Sequence, residues 1–112
     1  MAEWRTCASK RARSNHALGV RRPVVVRWAA GPSLDGGRAA ASHFWNGRAH
    51  EICVAGDLRA AQVERAVKHE LEHCHQYERD PDHIANYHRA PARYEREAEE
   101  VAQSFPDFGM AW

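Results

Sequence analysis

The sequence of 112 residues predicts a small α+β domain. Three observations support this prediction: a β-branched run at residues 22–28, an Asn46-Gly47 pair between two apolar and aromatic runs, and two later segments with helical periodicity. The length suits one compact domain with a modest core, so we assign residues 1–112 to a single domain.

The first third of the chain predicts a helix and then a strand. Residues 2–20 contain good helix formers and reach Gly19, which suits a helix end, so we expect an N-terminal helix. The run RPVVVRW, residues 22–28, is β-branched and predicts the first strand. The glycine-rich and proline-containing segment GPSLDGG then predicts a loop.

The middle of the chain predicts a β-hairpin. Residues 41–45 and 48–56 are separated by Asn46-Gly47, a pair that favours a tight turn between strands. Together with the first strand, the hairpin gives a sheet of about three strands. We expect one hairpin strand to form a sheet edge beside the helix that follows, where an extended peptide can add as another strand.

The last half of the chain predicts two helices. Asp57 can cap a long helix that runs to about Arg79 and that Pro81 ends. After the polar connection DPDHIANYHRAP, the segment ARYEREAEEVAQSF predicts a final helix. Its apolar residues recur at helical spacing and form one stripe: Tyr94, Ala98, Val101, Ala102 and Phe105.

Composition narrows the classes of partner and compartment. The formal net charge of +1 gives no strong electrostatic reason to expect nucleic acid or membrane as a partner. Residues 1–27 are basic, which favours a solubilising surface over a weak docking arm. The chain shows neither an apolar run of about 20 residues nor the apolar centre of a signal peptide, so we expect a cytoplasmic protein. Cys7, Cys53 and Cys74 lie far apart, which argues against a disulfide framework.

The chemistry is concentrated in His69-Glu70-Leu71-Glu72-His73, an H-E-x-x-H motif inside the predicted long helix. Side chains at i and i+4 project from one face, so His69 and His73 can reach one ion. Zn²⁺ favours such nitrogen ligands in tetrahedral geometry. Glu70 can then stand beside the remaining position as a general base. The motif therefore predicts a zinc site with catalytic glutamate.

A third protein ligand must come from elsewhere in the chain. The metzincin pattern is excluded, because Arg79 occupies the position of its third histidine. A glutamate of the last helix remains, and Glu95 and Glu97 both flank the apolar stripe. Small residues at Ala98 and Ala102 would let the helix approach closely on the side of Glu95.

His69-Glu70-x-x-His73 followed by Glu95-x-x-Ala98-Glu99 resembles the gluzincin metallopeptidases, and the short chain resembles their reduced forms, the minigluzincins and the ImmA/IrrE-type peptidase domains. The resemblance covers roughly residues 41–105. It implies a Zn²⁺ peptidase with Glu95 as third ligand and Glu99 as the outer acid that orients a ligand histidine. Glu99 replaces the Asp or Asn that is usual in the family. Glu72 replaces a residue that is often small, and its larger side chain is expected to narrow the cleft.

The connection between the two ligand helices is expected to supply an oxyanion donor, either Tyr87 or His88. His75 lies about 200° around the helix from His73 and is expected to face solvent. We therefore predict a zinc-dependent metallopeptidase that hydrolyses peptide or protein substrates. The alternatives are a non-catalytic zinc-containing binding or regulatory module and a helical regulator without metal.

Overall fold

The computed structural model describes residues 4–11, 19–29 and 41–108, and within these ranges it has four strands and three helices. The α+β prediction is confirmed. The elements are β1 (Trp4–Arg11), β2 (Val24–Ala29), β3 (Ala41–Trp45), β4 (His50–Val54), α1 (Ala60–Arg79), α2 (His83–Arg89) and α3 (Pro91–Ser104). The strands form one mixed sheet in the order β1-β2-β4-β3, in which β2 and β4 are parallel and the two outer pairs are antiparallel.

The predicted N-terminal helix is wrong, because residues 4–11 form β1. This strand pairs with β2, with Trp4 opposite Ala29 and Arg11 opposite Val25. Helix propensity differs by less than about 1 kcal/mol per residue, so pairing along the edge of β2 can outweigh it. The sheet consequently has four strands, where the sequence predicts about three. Residues 12–18 of the predicted helix and the loop GPSLDGG lie outside the described residues.

The predicted hairpin is confirmed, and it places β3 at the edge of the sheet. Trp45 lies opposite His50. In the turn, Oδ1 of Asn46 accepts hydrogen bonds from the backbone N–H groups of Arg48 and Ala49, at 2.8 and 2.9 Å. Gly47 has a φ of 95°, which favours glycine. Among the described strands β3 pairs only with β4 and is an outer strand of the sheet.

One hydrophobic core joins α1 to the sheet. Alternate residues of β2 and β4 point into it, and α1 packs one apolar face against them. The buried members of this core are Val20, Val24, Val26, Ile52, Val54, Val63, Val67, Leu71 and Cys74. Since the long helix is fixed along this face, the side chains on its other side have defined positions beneath α3.

Two details of the helices differ from the prediction. Helix α1 begins at Ala60, and Asp57 does not cap it. Instead, Oε1 of Gln62 accepts the backbone N–H of Arg59 at 2.9 Å, which satisfies a donor at the helix start. The polar connection also contains α2, a short helix of seven residues.

Among the described helices, none combines the length and apolar composition that crossing a bilayer requires.

Candidate metal centre

The two histidines of the motif face a glutamate of α3. Nε2 of His69 lies 3.0 Å from Oε2 of Glu95, and Nε2 of His73 lies 3.2 Å from Oε1 of the same carboxylate. The two Nε2 atoms are 3.2 Å apart. In a tetrahedral site with bonds of 2.0–2.1 Å, ligand atoms are separated by about 3.3 Å. The three side chains therefore have nearly the spacing that one Zn²⁺ ion requires.

Outer hydrogen bonds orient both imidazole rings. Nδ1 of His69 lies 3.2 Å from Oε2 of Glu99, and Nδ1 of His73 lies 2.9 Å from Oε1 of Gln76. Both oxygens are acceptors, so we assign the ring protons to the Nδ1 atoms. The Nε2 lone pairs then converge on the Glu95 carboxylate. A positive charge between these electron-pair donors would stabilise the arrangement. Histidines that bind a metal typically donate their other ring N–H to an acceptor, as His69 and His73 do here.

Glu95 is held in place by a tyrosine from the helix before it. The hydroxyl of Tyr87 donates to Oε1 of Glu95 at 2.6 Å. Burial favours a higher pKa for Glu95, but the Tyr87 hydroxyl and the nearby histidines outweigh it and hold the pKa below its usual value. Burial and the same carboxylate raise the pKa of Tyr87 to about 12, which keeps the phenol protonated as a donor.

Glu70 is a buried carboxylate beside the centre. Its Oε2 is buried and has no hydrogen-bond partner among the described residues. Burial raises the pKa of Glu70 to about 7, with the charge on Glu95 adding to the rise and His73 opposing it. An unpaired buried carboxylate oxygen costs free energy unless something absent from the chain engages it. Glu70 is therefore suited to contact a water molecule or a substrate.

A cavity of about 490 Å³ opens in front of this centre. The strand β3 forms one wall, while α2 and part of α1 form the others. Its lining residues are Ala41, Ser42, His43, Phe44, Trp45, Glu70, His73, Tyr77, His83, Ile84, Tyr87, His88 and Glu95. The edge strand, the buried carboxylate and two of the three gathered ligands thus face one space that is large enough for a segment of peptide.

The connection between α1 and α3 contains a histidine, His83, that lines the cavity and that no sequence pattern selects. Tyr87 and His88 both line the cavity, and His88 is exposed. His83 is buried there, and its Nε2 has no partner among the described residues. Burial is the main cause that lowers the pKa of His83 and keeps the ring neutral. Only the fold of α2 reveals this residue, because nothing in the spacing of the connection sets His83 apart from His88.

Three other residues near the motif are directed elsewhere. Glu97 accepts hydrogen bonds from Arg79 and Gln76, at 2.6 and 3.2 Å, and so lies on the far side of His73 from Glu95. Glu72 pairs with His75 at 2.8 Å and does not line the cavity, so the expectation that it narrows the cleft is not met. His75 lies outside the cavity lining, as the helical angle predicts, but it is half-buried and paired with Glu72 rather than facing solvent.

The donor set, rather than similarity to another protein, indicates the chemistry of this centre. Comparisons of the chain with protein-family models, with curated proteins and with solved structures find no match. Two imidazoles and a carboxylate suit Zn²⁺, whereas Mg²⁺ and Ca²⁺ prefer oxygen ligands. An ion held by these three donors alone would have a fourth tetrahedral position for water or another donor.

Proposed function

We propose that the chain is a zinc-dependent metallopeptidase of the gluzincin type that hydrolyses peptide bonds in peptides or proteins. The observation that carries this proposal is the convergence of His69, His73 and Glu95 beside the unpaired, buried carboxylate of Glu70 at one cavity. Glu70 has a ligand atom within 4.8 Å of those of His69 and His73, and the proposal assigns this carboxylate to the attacking water rather than to the ion.

Each residue of the centre then has a role that its position supports. His69, His73 and Glu95 would hold the ion, with Glu99 and Gln76 fixing the two rings. When bound, Zn²⁺ polarises the scissile carbonyl and lowers the pKa of a water molecule to about 7. Glu70 takes a proton from the attacking water and delivers it to the leaving amine, as a general base and then a general acid.

Charge that develops on the carbonyl oxygen needs a hydrogen-bond donor from the protein. Tyr87, His88 and His83 line the cavity and are the candidates. The Tyr87 hydroxyl donates its proton to Glu95, so it would have to release this carboxylate in order to donate to a substrate. His83 adds a buried ring whose Nε2 is free of partners among the described residues, so its Nε2–H form can donate to a substrate.

The substrate would bind as an extended chain along β3. This strand has an outer edge that pairs with no other described strand, and all five of its residues line the cavity. A peptide added to this edge gains backbone hydrogen bonds without a requirement for particular side chains. Phe44 and Ile84, both more than half exposed, flank the cavity and offer apolar contacts to the substrate.

We also propose that the enzyme works in the cytoplasm. The described cysteines, Cys53 and Cys74, are free thiols. Free thiols persist in compartments that are kept reducing.

Hydrolysis of a peptide library by chelator-free protein tests the proposed activity. We expect cleavage that stops when a chelator removes zinc and returns when Zn²⁺ is added. If the protein is a non-catalytic zinc module, it will bind zinc but cleave no peptide. A regulator without metal would bind no zinc, and either result would overturn the proposal.

A further inference from the structure

A second cluster of metal-ligating side chains lies between the hairpin and α1, apart from the centre described above. It consists of His43 on β3, His50 at the start of β4 and Cys74 on α1, and their ligand atoms all lie within 4.8 Å of one another. Nε2 of His43 is 2.7 Å from Nδ1 of His50. His50 and Cys74 are fully buried. Three different elements therefore bring two imidazoles and a thiol to one point in the core.

A carboxylate orients the central ring of this cluster. Nε2 of His50 lies 2.7 Å from Oε2 of Glu78, which can only accept, so we assign the ring proton to Nε2. Glu78 is itself fixed by the backbone N–H groups of Arg21 and Arg22, at 2.7 and 3.0 Å. The Nδ1 lone pair of His50 therefore faces His43 and Cys74. A carboxylate on the outer nitrogen is the usual support of a histidine that binds a metal.

We propose that His43, His50 and Cys74 form a second metal site, which takes a thiophilic ion such as Zn²⁺. Two imidazole nitrogens and a thiolate are ligands of zinc and exclude Mg²⁺ and Ca²⁺. To bind one ion at the tetrahedral spacing of about 3.3 Å, the two nitrogens must separate by roughly half an ångström, and His43 must carry its ring proton on Nδ1 so that Nε2 can coordinate. His43 lines the cavity, so an ion has a path to the site.

An ion here would join the edge strand to the helix that carries the catalytic motif. Among the described strands β3 is paired on one side, with β4, and it would gain a bond to α1 through the metal. The site would thereby fix the strand along which the substrate is proposed to bind. The proposed metal site itself depends on the cluster alone and stands whether or not the chain is a peptidase.

Co²⁺ titration of the reduced, metal-free full chain tests this site, because a thiolate on Co²⁺ gives an intense charge-transfer band in the near ultraviolet. The first centre contains no sulfur and gives no such band. We expect the wild type to bind two equivalents of Co²⁺, one of them with the sulfur band. Cys74→Ser and His43→Ala should each remove the band and one equivalent. His43 is only half-buried on an edge strand, so its variant tests the site even if Cys74→Ser unfolds.

Three further variants test whether the sulfur band comes from this cluster alone. Replacing Cys7 and Cys53 together by Ser should keep the band, and so should His69→Ala, which removes a ligand of the first centre. Glu78→Gln should keep the band but weaken Co²⁺ binding at this site by about 10–100-fold, as for other outer-shell groups. A wild type with no sulfur band would overturn the proposal and leave a hydrogen-bonded chain of His43, His50 and Glu78. A band that survives both His43→Ala and Cys74→Ser would overturn it as well.

Discussion

Oε2 of Glu95 lies 3.0 Å from Nε2 of His69, although 26 residues of chain separate the two side chains. The contact exists because α3 crosses α1 with the small side chains of Ala98 and Ala102 at the interface, both of them buried. A glutamate two residues further along the helix, Glu97, pairs instead with Arg79. The packing of the two helices thus decides which carboxylate meets the histidines of the motif.

Zinc affinity should depend far more on Glu95 than on its neighbours. Glu95→Ala removes a proposed ligand and should cause the largest loss of affinity. Glu99→Ala removes the acceptor of the His69 ring proton and should lower zinc affinity by about 10–100-fold. Glu97→Ala serves as the control, and a competition titration with a zinc-sensitive dye measures all three. If Glu97→Ala loses the zinc while Glu95→Ala keeps it, the assigned ligand is wrong by two residues.

Gln76 is expected to act as a positioning residue for His73. Gln76→Leu removes the acceptor for Nδ1 of His73 and should lower zinc affinity by about 10–100-fold. Gln62→Leu changes a glutamine in the first turn of the same helix, whose side chain accepts from the Arg59 N–H instead of from a site histidine, and provides the matched control. Equal affinities for the two variants, measured in the same dye competition, would remove Gln76 from the site.

If the substrate adds to β3 as a strand, methylating the backbone nitrogens of the substrate should change KM with a period of two residues. Alternate N–H groups of a strand point toward its partner, so methylating successive amide nitrogens of a cleaved peptide should raise KM at every second position. Methylation at the intervening positions should change KM little and is the internal control. A uniform response along the peptide would contradict binding by strand addition.

Asp80 should make the stability of the metal-free protein depend on pH. A hydrogen bond from Asn86, with support from the Asp82 N–H and the Tyr94 hydroxyl, lowers the pKa of Asp80 and outweighs the opposing effect of burial. A lowered carboxyl pKa adds stability above the usual value of about 3.9, and this stability is lost as the pH falls through the lowered pKa. The melting temperature of Asp80→Asn should therefore be below that of wild type at neutral pH, and the two should converge in acid. A gap that stays constant or widens in acid would contradict this role.

The sequence predicts those features that repeat along one element and misses those that depend on contact between elements. The hairpin and the H-E-x-x-H face of α1 follow from local periodicity and turn chemistry. Residues 4–11 favour a helix by their local propensity, while their pairing with β2 depends on a distant segment and overrides it.

The same distinction holds within the site. Periodicity leaves both Glu95 and Glu97 as candidates, and the small residues beside Glu95 and the E-x-x-A resemblance favour Glu95. The packing of α3 on α1 brings Glu95 to the two histidines. Gln76 and His83 carry no motif, so their contacts with His73 and with the cavity emerge only from the fold.

The most direct test of the proposed enzyme compares hydrolysis and zinc content in Glu70→Gln. The amide keeps the shape of the side chain but cannot accept the proton of the attacking water. We expect Glu70→Gln to retain zinc at the level of wild type while peptide hydrolysis falls by about 100- to 10,000-fold. Glu100→Gln, an exposed change on α3, should retain both zinc and activity. Wild-type hydrolysis by Glu70→Gln with zinc bound would contradict the central claim that this carboxylate is the catalytic base.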